Sequence, residues 1–423
     1  MRFFKWFYPG IGIKRWIILC TIGLSFIVVV ALLTVKTIAK SSSILAAFAT
    51  AALIFGIFLI YTSIKNMVRM FVRALMPLHQ SGPLVDIVYQ KHQSESLLRG
   101  PRVVAIGGGT GLSTILSGIK LFTSNITAIV TVTDTGGSSG RLRDEMDVLP
   151  PGDIRNCLVA LADAGPLIQN LFQYRFEMGE GLKGHSFGNL FITALSKVTG
   201  DFEKAIAESS KVLAIRGRVL PSTLDKITLV GEFTDGTSLE GETTITDAAK
   251  PLRNIRLKPD DCRACQEAID AISIADIIIM GPGSLYTSII PNLLIGEIRD
   301  AILNSDAYRV YICNVMTQPG ETTGFSAYDH LNILLDHTDP RIVDACFVNT
   351  EAIPELTRKR YREAGSIPVT PDIDRIRQKG YEVVTGETLK IDGQVRHDPE
   401  KIMKLIMDHY SRRFKKDKEK DED

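Results

Sequence analysis

Three short apolar runs, each rich in β-branched residues and each followed at once by a glycine-rich loop, constrain the fold of this chain most. They cover residues 103–106, 126–134 and 277–280, and residues 310–314 add a fourth run. Continuous apolar runs of this length are typical of strands that are buried on both faces. Because helical stretches separate them, the pattern predicts an α/β fold with a Rossmann-like, doubly wound and mostly parallel sheet.

Two other regions show a different, antiparallel pattern. Residues 226–257 contain an apolar strand, the turn sequence Thr234-Asp-Gly-Thr237 and an alternating stretch that runs to Ile245. They predict a small antiparallel β insert that begins with a hairpin. A second short hairpin is expected within residues 382–397. Residues 400–410 should form a terminal helix, and we expect the charged tail that follows to be frayed.

The charges of this chain of 423 residues are distributed unevenly. The formal net charge is only +1, from 49 Lys and Arg against 48 Asp and Glu. Residues 1–85, however, contain nine basic residues and no acidic residue. The near-neutral total gives no indication of a nucleic-acid partner, and six scattered cysteines do not form a secreted disulfide scaffold. A basic apolar segment therefore precedes an acidic body.

That front segment contains two uncharged runs, residues 16–35 and 44–64. Each is about as long as a helix that crosses roughly 30 Å of hydrocarbon, and backbone groups in lipid must pair within the helix. The runs predict a transmembrane helical hairpin within residues 1–80. A cleaved signal peptide is the alternative, but the second long run makes cleavage a poor explanation.

The basic residues that flank the two runs predict the orientation of the hairpin. Positive residues precede the first run and follow the second, which places both termini in the cytoplasm. Lys65, Arg69 and Arg73 follow the second run at intervals of four, so on a helix they form one basic stripe that anionic lipid headgroups would attract. We expect a multi-pass protein of the plasma membrane, with residues 81–101 linking the hairpin to a cytoplasmic body.

The first glycine loop, residues 107–111, follows a strand and begins a helix. Its backbone N–H groups and the helix N-terminus are suited to an anion such as phosphate. The dinucleotide motif G-x-G-x-x-G is not satisfied, because Leu112 stands at its last position. A purely structural tight turn is the alternative interpretation.

The second strand ends at Asp134, and a second glycine loop with two serines and Arg141 follows it. An acid at this place can accept hydrogen bonds from ribose hydroxyls or hold a cation through water. The Arg141 guanidinium can pair with a phosphate, whereas Arg143 is expected to face solvent or Asp144. The loop lacks the Gly-Lys-Ser/Thr of a Walker motif.

Two further polar segments carry candidate site residues. Asp153 begins an apolar helix, and a helix cap and a site role are equally good interpretations. The segment 184–188 matches the G-x-S-x-G pattern of hydrolases, but no buried strand precedes it. We therefore expect His185, Ser186 and Asn189 to donate hydrogen bonds to a ligand rather than to form a catalytic nucleophile site.

The third strand leads into the loop 281–288, which repeats the order of strand, glycine loop and helix. Tyr286 in this loop either stacks on a base or sugar of the ligand or packs against the loop. Cys262 and Cys265 form a single C-x-x-C pair without a second pair or a nearby histidine. A structural zinc site needs four ligands, so we interpret the two cysteines as ordinary helix residues, with redox activity as the alternative.

The order and length of these motifs make the chain similar to the YvcK-type gluconeogenesis factors. The matching segments are residues 104–112, 131–144, 150–156, 184–189, 281–288 and 311–318. The resemblance spans roughly residues 102–337 and extends more loosely to the C-terminal helix. It implies a CofD-like fold, related to 2-phospho-L-lactate transferases, over residues 102–410. It also implies binding of a nucleotide sugar of the UDP-N-acetylglucosamine type and a bacterial role in cell shape and envelope growth on gluconeogenic carbon.

The resemblance also implies a set of nucleotide- and phosphate-binding residues. They are Gly107, Gly108, Gly109, Thr110, Gly111, Asp134, Gly136, Gly137, Ser138, Ser139, Arg141, His185, Ser186, Asn189, Ser284 and Tyr286. Asp134 is the candidate ligand of a Mg²⁺ ion. The chain departs from the family pattern at Thr135, where a second acid is usual, and this loss weakens a two-acid Mg²⁺ site. The N-terminal hairpin is a second departure, because the family is generally soluble.

These observations lead to three hypotheses of different classes. The first is a membrane-tethered regulatory protein that binds a nucleotide sugar and contacts lipid and an unidentified protein of envelope synthesis. A homo-oligomer is compatible with this hypothesis. The second is a Mg²⁺-dependent phosphoryl-group or nucleotidyl transferase. A serine hydrolase that uses Ser186 is the third. The division into domains is residues 1–80, the linker 81–101, the body 102–410 and the tail 411–423.

Overall fold

The computed structural model describes residues 13–37, 43–75 and 97–421, and it divides the chain into two compact units, Met1–Gln93 and Ser94–Asp423. The first unit contains helices α1 (Ile13–Thr37) and α2 (Ser43–Leu75), which pack against each other in antiparallel orientation. A Cβ atom on Gly23 would lie 2.9 Å from the Gly56 carbonyl oxygen, so the two backbones come close at this point. The Ser63 hydroxyl donates to the Trp16 carbonyl.

One segment of the described residues, Ala49–Arg69 in α2, is long and apolar enough by length and composition to cross a membrane. Within the residues of α1 whose side chains the structure describes, Arg15–Ala31 form a shorter apolar segment. The helical hairpin is therefore present, and its insertion into a membrane stays a prediction. Most of the expected linker, residues 81–96, lies outside the described residues.

The second unit contains twelve described strands and fourteen α-helices. The strands are β1 (Val103–Gly107), β2 (Ile126–Val130), β3 (Arg218–Pro221), β4 (Thr228–Phe233), β5 (Ser238–Glu240), β6 (Leu252–Lys258), β7 (Ile277–Met280), β8 (Tyr308–Ile312), β9 (Ala345–Asn349), β10 (Glu382–Gly386), β11 (Leu389–Asp392) and β12 (Gln394–His397). The helices are α3 (Gly109–Ile119), α4 (Gly137–Met146), α5 (Gly152–Leu161), α6 (Pro166–Gln173), α7 (Phe187–Thr199), α8 (Phe202–Leu213), α9 (Glu242–Asp247), α10 (Gln266–Ser273), α11 (Ile290–Leu293), α12 (Gly296–Leu303), α13 (Ala327–Asp336), α14 (Glu355–Glu363), α15 (Ile373–Gln378) and α16 (Pro399–Asp421). A π-helical turn (Leu285–Ile289) precedes α11.

Seven of these strands form one sheet in the order β10-β9-β8-β7-β1-β2-β3, and every neighbouring pair is parallel. All residues of β1, β2 and β7 are buried, as the continuous apolar runs predict. The Rossmann-like parallel sheet is thus confirmed. The second strand is shorter than expected. β2 ends at Val130, and residues 131–135 belong to no strand.

The antiparallel insert is present but differs in detail from the prediction. A turn at Asp235-Gly236 joins β4 to β5, and Gly236 has a φ of +82°, which suits glycine. Strand β5 ends at Glu240. The residues up to Ile245, which we expected to continue the strand with an alternating pattern, instead lead into the short helix α9. β6 pairs with the other side of β4, so the insert is a three-stranded sheet.

The C-terminal region contains the expected hairpin and helix with shifted bounds. β11 and β12 form the hairpin, whereas residues 382–386 are β10 and belong to the large sheet. The helix α16 extends to Asp421, so the backbone of the charged tail continues a helix where we expected fraying. Gly118 of α3 packs against Pro399, the first residue of α16.

The order of the strands determines where in the sheet a ligand-binding crevice lies. β1 lies between β2 and β7, and the chain builds the sheet first on one side of β1 and later on the other. Such a reversal leaves a crevice at the carboxyl ends of the two central strands, where folds of this class bind ligands.

Replacing Gly118 by alanine should destabilise the chain. An added Cβ would lie 2.2 Å from the Pro399 carbonyl oxygen, so α3 and α16 must separate. Alanine normally stabilises a helix interior by about 0.5–1 kcal/mol relative to glycine, but overpacking here should cost about 1–3 kcal/mol. Urea unfolding of the full chain in detergent measures the change. Gly165→Ala, at an open position with φ of −58°, is the control and should be nearly neutral. An unaltered or higher stability of Gly118→Ala contradicts the packing argument.

Candidate functional site

A pocket of about 410 Å³ lies at the carboxyl ends of β1, β7 and β8. The first glycine loop and the loop after β7 form two of its walls. The remaining walls come from α9, from the segment after β8 and from the β11–β12 hairpin. The lining residues include Gly108, Gly109, Thr110, Gly111, Glu242, Gly283, Ser284, Asn314, Gln318, Glu321 and Arg396.

The N-terminus of α3 faces this pocket. Gly109 begins the helix with a φ of +59°, and its N–H donates to the half-buried Asp153 carboxylate. Leu112 is the first residue whose N–H reaches a carbonyl of the preceding turn, that of Gly108. The N–H groups of Thr110 and Gly111 belong to the first turn, where a helix has no internal acceptor for them. They are the backbone donors that this loop offers to a ligand.

The first and third glycine loops touch each other. A Cβ atom on Gly111 would lie 2.2 Å from the Pro282 carbonyl oxygen, so only glycine permits this approach. At Gly108 a Cβ atom would lie 2.7 Å from an Asp153 carboxylate oxygen. Gly111 is therefore required by the packing of the two loops, and Gly108 by the packing of the first loop against α5.

The loop after β7 directs its donors to an internal carboxylate. The Ser284 hydroxyl and the Tyr286 N–H both donate to Glu321, which stands in the segment after β8. Asn314 holds the same loop, because its side-chain amide accepts from the Gly283 N–H at 3.1 Å and donates to the Gly283 carbonyl at 2.7 Å. This loop thus differs from the expected phosphate cradle, since Glu321 already occupies its donors.

Tyr286 is fully buried, with 0 % of its surface exposed, and its ring packs edge-on against His337 at 5.8 Å between centroids. The structure corrects the expectation that this ring stacks on a ligand. The alternative, an aromatic side chain packed on the loop, agrees with its position. Its orientation follows from the π-helical turn, which directs the side chain into the core.

Asp134 and the second glycine loop lie outside the pocket lining, in contact with the start of α5 and with α9. An oxygen of Asp134 accepts from the Gly136 N–H at 2.8 Å, and Thr135 donates to the Thr243 hydroxyl at 3.2 Å. Within the described part of the chain, no group of three or more His, Cys, Asp or Glu residues is arranged to hold a metal ion. The Mg²⁺ site at Asp134 stays a prediction, because one carboxylate together with water and a phosphate of the ligand can hold this ion.

The second glycine loop meets the segment 184–189 in a buried polar cluster. The Ser138 hydroxyl lies 2.9 Å from the His185 Nδ1 atom, and the Asn189 side chain donates to Ser138 at 3.1 Å. Ser186 is fully buried, caps α7 by accepting from the Asn189 N–H, and accepts from Arg155. The predicted residues are brought together, but they bond to one another. A buried Ser186 without a preceding strand also gives no support to a hydrolase.

The two arginines of the second loop have internal partners. Arg141 donates to the Lys183 carbonyl at 2.8 Å, so it holds the segment before His185. Arg143 donates to the Ile227 carbonyl at 2.6 Å and to the Thr228 hydroxyl at 3.2 Å. The expectation that Arg143 faces solvent or Asp144 is wrong, because the insert packs over its side chain.

Three carboxylates lie in or beside the pocket: Glu321 is buried, and Glu242 and Asp153 are half-buried. Burial, reinforced by the charge of Asp134, raises the pKa of Asp153 to about 7. Burial also raises the pKa of Glu321 to about 7 and shifts that of Glu242 upward. Asp153 is the second residue of α5 and makes no cap bond. Its carboxylate instead accepts from the Gly109 N–H of the first glycine loop, and its role in ligand binding stays a prediction.

The positive charge available in the pocket is small. Arg396 is the one Lys or Arg among the described lining residues. His397 is buried between the Thr388 hydroxyl and the Cys313 carbonyl, and burial lowers its pKa to about 4, so it is neutral at pH 7. An anionic ligand must therefore rely on the α3 N-terminus and on Arg396.

The sequence reasoning missed Glu321, Asn314 and Arg396. Asn314 ends the segment that begins with β8, and Glu321 follows in Gln318-Pro-Gly-Glu321, so a turn after a fourth buried strand was a usable signal. Arg396 reaches the pocket through the β11–β12 hairpin, for which the sequence offers no comparable pattern.

The C-x-x-C pair has a structural environment. Cys265 donates from its sulfur to a Glu203 carboxylate oxygen at 2.8 Å. Burial raises the pKa of Cys262 to about 11 and that of Cys265 to about 12, which disfavours the reactive thiolate. The expectation that they are helix residues is wrong in detail, because both precede the helix α10 and Cys265 stands at its N-cap position. Their environment agrees with an ordinary structural role.

Comparison with known proteins identifies the relatives of the chain. The family model described as 2-phospho-L-lactate transferase CofD matches residues 103–389. A putative gluconeogenesis factor from Nostoc sp. PCC 7120 is 44 % identical over 97 % of this chain and 93 % of its own length. The gluconeogenesis factor of Bacillus subtilis is 46 % identical over 73 % of this chain and 98 % of its own length. A crystal structure of a Bacillus halodurans protein, 47 % identical, has a TM-score of 0.71 over 73 % of this chain and 99 % of that protein.

These alignments differ at the N-terminal unit. The Nostoc relative aligns with nearly the whole chain, so the match includes most of residues 1–93, whereas the Bacillus relatives leave about a quarter of the chain unmatched. The N-terminal unit is thus shared with some relatives and is not peculiar to this protein. The match over the parallel sheet and the glycine loops shows that the chain belongs to the CofD family, among the relatives named gluconeogenesis factors.

Proposed function

We propose that this chain is a membrane-tethered regulatory protein that faces the cytoplasm and binds a nucleotide sugar of the UDP-N-acetylglucosamine type. One observation carries the proposal: the N-terminus of α3 opens onto a pocket of about 410 Å³ at the reversal of the sheet. A pocket of this size lies in the ordinary range for small-molecule sites, roughly 300–1,000 Å³. The name gluconeogenesis factor, which the relatives carry, supports a role on gluconeogenic carbon, and we propose that this role is in cell shape and envelope growth.

The diphosphate of such a ligand would lie against the first turn of α3. The N–H groups of Thr110 and Gly111 and the positive end of the helix dipole favour an anion there. The Arg396 guanidinium, which lines the same pocket, supplies the balancing positive charge. The carboxylates of the opposite wall disfavour a phosphate in that part of the pocket.

Membrane attachment is the second part of the proposal. In the first unit, large apolar side chains of α2 are exposed, with Ile54 at 64 %, Phe58 at 57 % and Tyr61 at 61 %. Apolar surface of this kind on a packed helical pair is stabilised by lipid. Lys65 and Arg69 follow on the same helix and suit anionic headgroups of the cytoplasmic leaflet.

Replacing Arg396 by alanine should weaken binding of UDP-N-acetylglucosamine about tenfold, because charge-assisted hydrogen bonds contribute about 1.5–3 kcal/mol and this side chain is partly solvated. Isothermal titration calorimetry of the full chain in detergent measures the affinity. Arg362→Ala, an exposed arginine of α14, is the matched control and should bind like the parent. No binding by the parent chain refutes the proposed ligand, and equal affinity of the two variants refutes the role of Arg396.

A chain that begins at Ser94 should be recovered in the supernatant after ultracentrifugation of cell extracts, whereas the full chain should stay with the membranes after an alkaline wash. The reason is that the exposed apolar side chains described above belong to the first unit. Comparison of both fractions by immunoblot gives the result. A full chain that the alkaline wash releases would contradict the transmembrane hairpin.

A transferase is the second candidate function, favoured by the family model named after 2-phospho-L-lactate transferase. The hydrogen bond of Thr135 to Thr243, where a second acid is usual, speaks for binding without catalysis. We expect no phosphoryl or nucleotidyl transfer from nucleotide sugars or nucleoside triphosphates when products are followed by ³¹P NMR. Turnover that Asp134→Asn abolishes would instead establish the transferase.

A further inference from the structure

The wall of the pocket formed after β7 and β8 contains hydrogen-bond acceptors where a phosphate site would contain donors. Glu321 is 4 % exposed and lines the pocket. It accepts from the Ser284 hydroxyl and from the Tyr286 N–H, the first donors of the π-helical turn. Glu321 thus takes the position that an anion would take at this loop, and it stays there as part of the chain.

Glu321 has further capacity to accept hydrogen bonds. A carboxylate offers about four lone-pair sites, and the two bonds to the loop after β7 use part of them. Glu242 lines the same pocket from α9, and its charge adds to the upward shift of the pKa of Glu321. Two acceptors therefore line one pocket. Arg396, the lining cation, donates from Nε to the Gln394 side-chain oxygen at 3.0 Å and, among the described residues, forms no ion pair with either carboxylate.

We infer that Glu321, assisted by Glu242, is a specificity-determining residue that accepts a hydrogen bond from a hydroxyl group of the ligand's sugar. The inference rests on the proposed function and adds an orientation to it. The diphosphate lies against α3 and Arg396, and a sugar ring lies against Glu321. A site built to bind a hydroxyl discriminates strongly against ligands that lack it, because its buried polar groups are then left unpaired.

The chemistry of this wall favours a hydroxyl over a phosphate. A phosphate beside Glu321 would meet a like charge in a partly desolvated place, which the neighbouring Glu242 intensifies. A hydroxyl both donates and accepts, so it can pair with the carboxylate in its charged or its protonated form. Burial raises the pKa of Glu321 to about 7, which makes both forms accessible near neutral pH.

The test compares three probes on the full chain in detergent: UDP-N-acetylglucosamine, UDP and inorganic pyrophosphate. Glu321→Gln removes the charge and keeps the shape of the side chain. It should weaken UDP-N-acetylglucosamine about tenfold and leave pyrophosphate unchanged or bound more tightly. Glu363→Gln, an exposed position of α14, is the matched control and should alter neither affinity.

The response of UDP identifies which sugar ring contacts Glu321. If UDP weakens as much as the nucleotide sugar, the hydroxyl belongs to the ribose, and if UDP is unaffected, it belongs to the pyranose. Both outcomes support the inference. Equal weakening of the nucleotide sugar and pyrophosphate, or no change in either, overturns it.

Two checks separate this inference from folding and from the proposed function. Glu242→Gln leaves the hydrogen bond between Ser284 and Glu321 intact. Like Glu321→Gln, it should weaken the binding of UDP-N-acetylglucosamine relative to that of pyrophosphate. If Glu321→Gln lowers the thermal unfolding temperature sharply, the Glu242→Gln variant therefore provides the test of the inference. A parent chain that binds none of the probes refutes the proposed function. If the parent binds the probes and the Glu321→Gln and Glu242→Gln variants bind them equally well, only the role of Glu321 is refuted.

Discussion

Close approach of two backbone loops at the centre of the parallel sheet is the constraint on which the site depends. Gly111 begins α3 beside the Pro282 carbonyl, and no side chain fits between them. This contact brings the helix N-terminus and the loop after β7 to one pocket, because β1 and β7 are neighbours and point the same way. The burial of β1, β2 and β7 on both faces holds the strands that carry these loops.

The electrostatic balance at this edge of the sheet differs from that of a simple phosphate cradle. Asp153 accepts from the Gly109 N–H, and Glu321 accepts from the Tyr286 N–H, so the first and the third glycine loops are each partly neutralised by a carboxylate. The pocket thus has an end that suits an anion and a wall that suits hydrogen-bond donors. A ligand with a diphosphate and a polyhydroxylated ring has both kinds of group, which is why a nucleotide sugar suits this pocket better than an isolated phosphate.

The two compact units solve separate physical problems. The second unit buries its strands within its own helices, and family relatives that lack a counterpart of the first unit have its fold. The first unit buries little of the apolar surface of α2, since two helices alone cannot enclose it. Attachment to lipid is our explanation for that surface, and it would keep the binding unit near the envelope without changing its pocket.

The sequence by itself determined the parallel sheet, the glycine loops at its carboxyl edge and the helical hairpin, because apolar runs and glycines act locally. It also brought His185, Ser186 and Asn189 to attention, although they bond to Ser138, Arg155 and one another. Only the tertiary structure decided that Tyr286 is buried, that Arg143 is held by the insert and that Glu321 and Arg396 face the pocket. Those positions depend on contacts between segments distant in sequence, and no local pattern of residues encodes which buried donor meets which carboxylate.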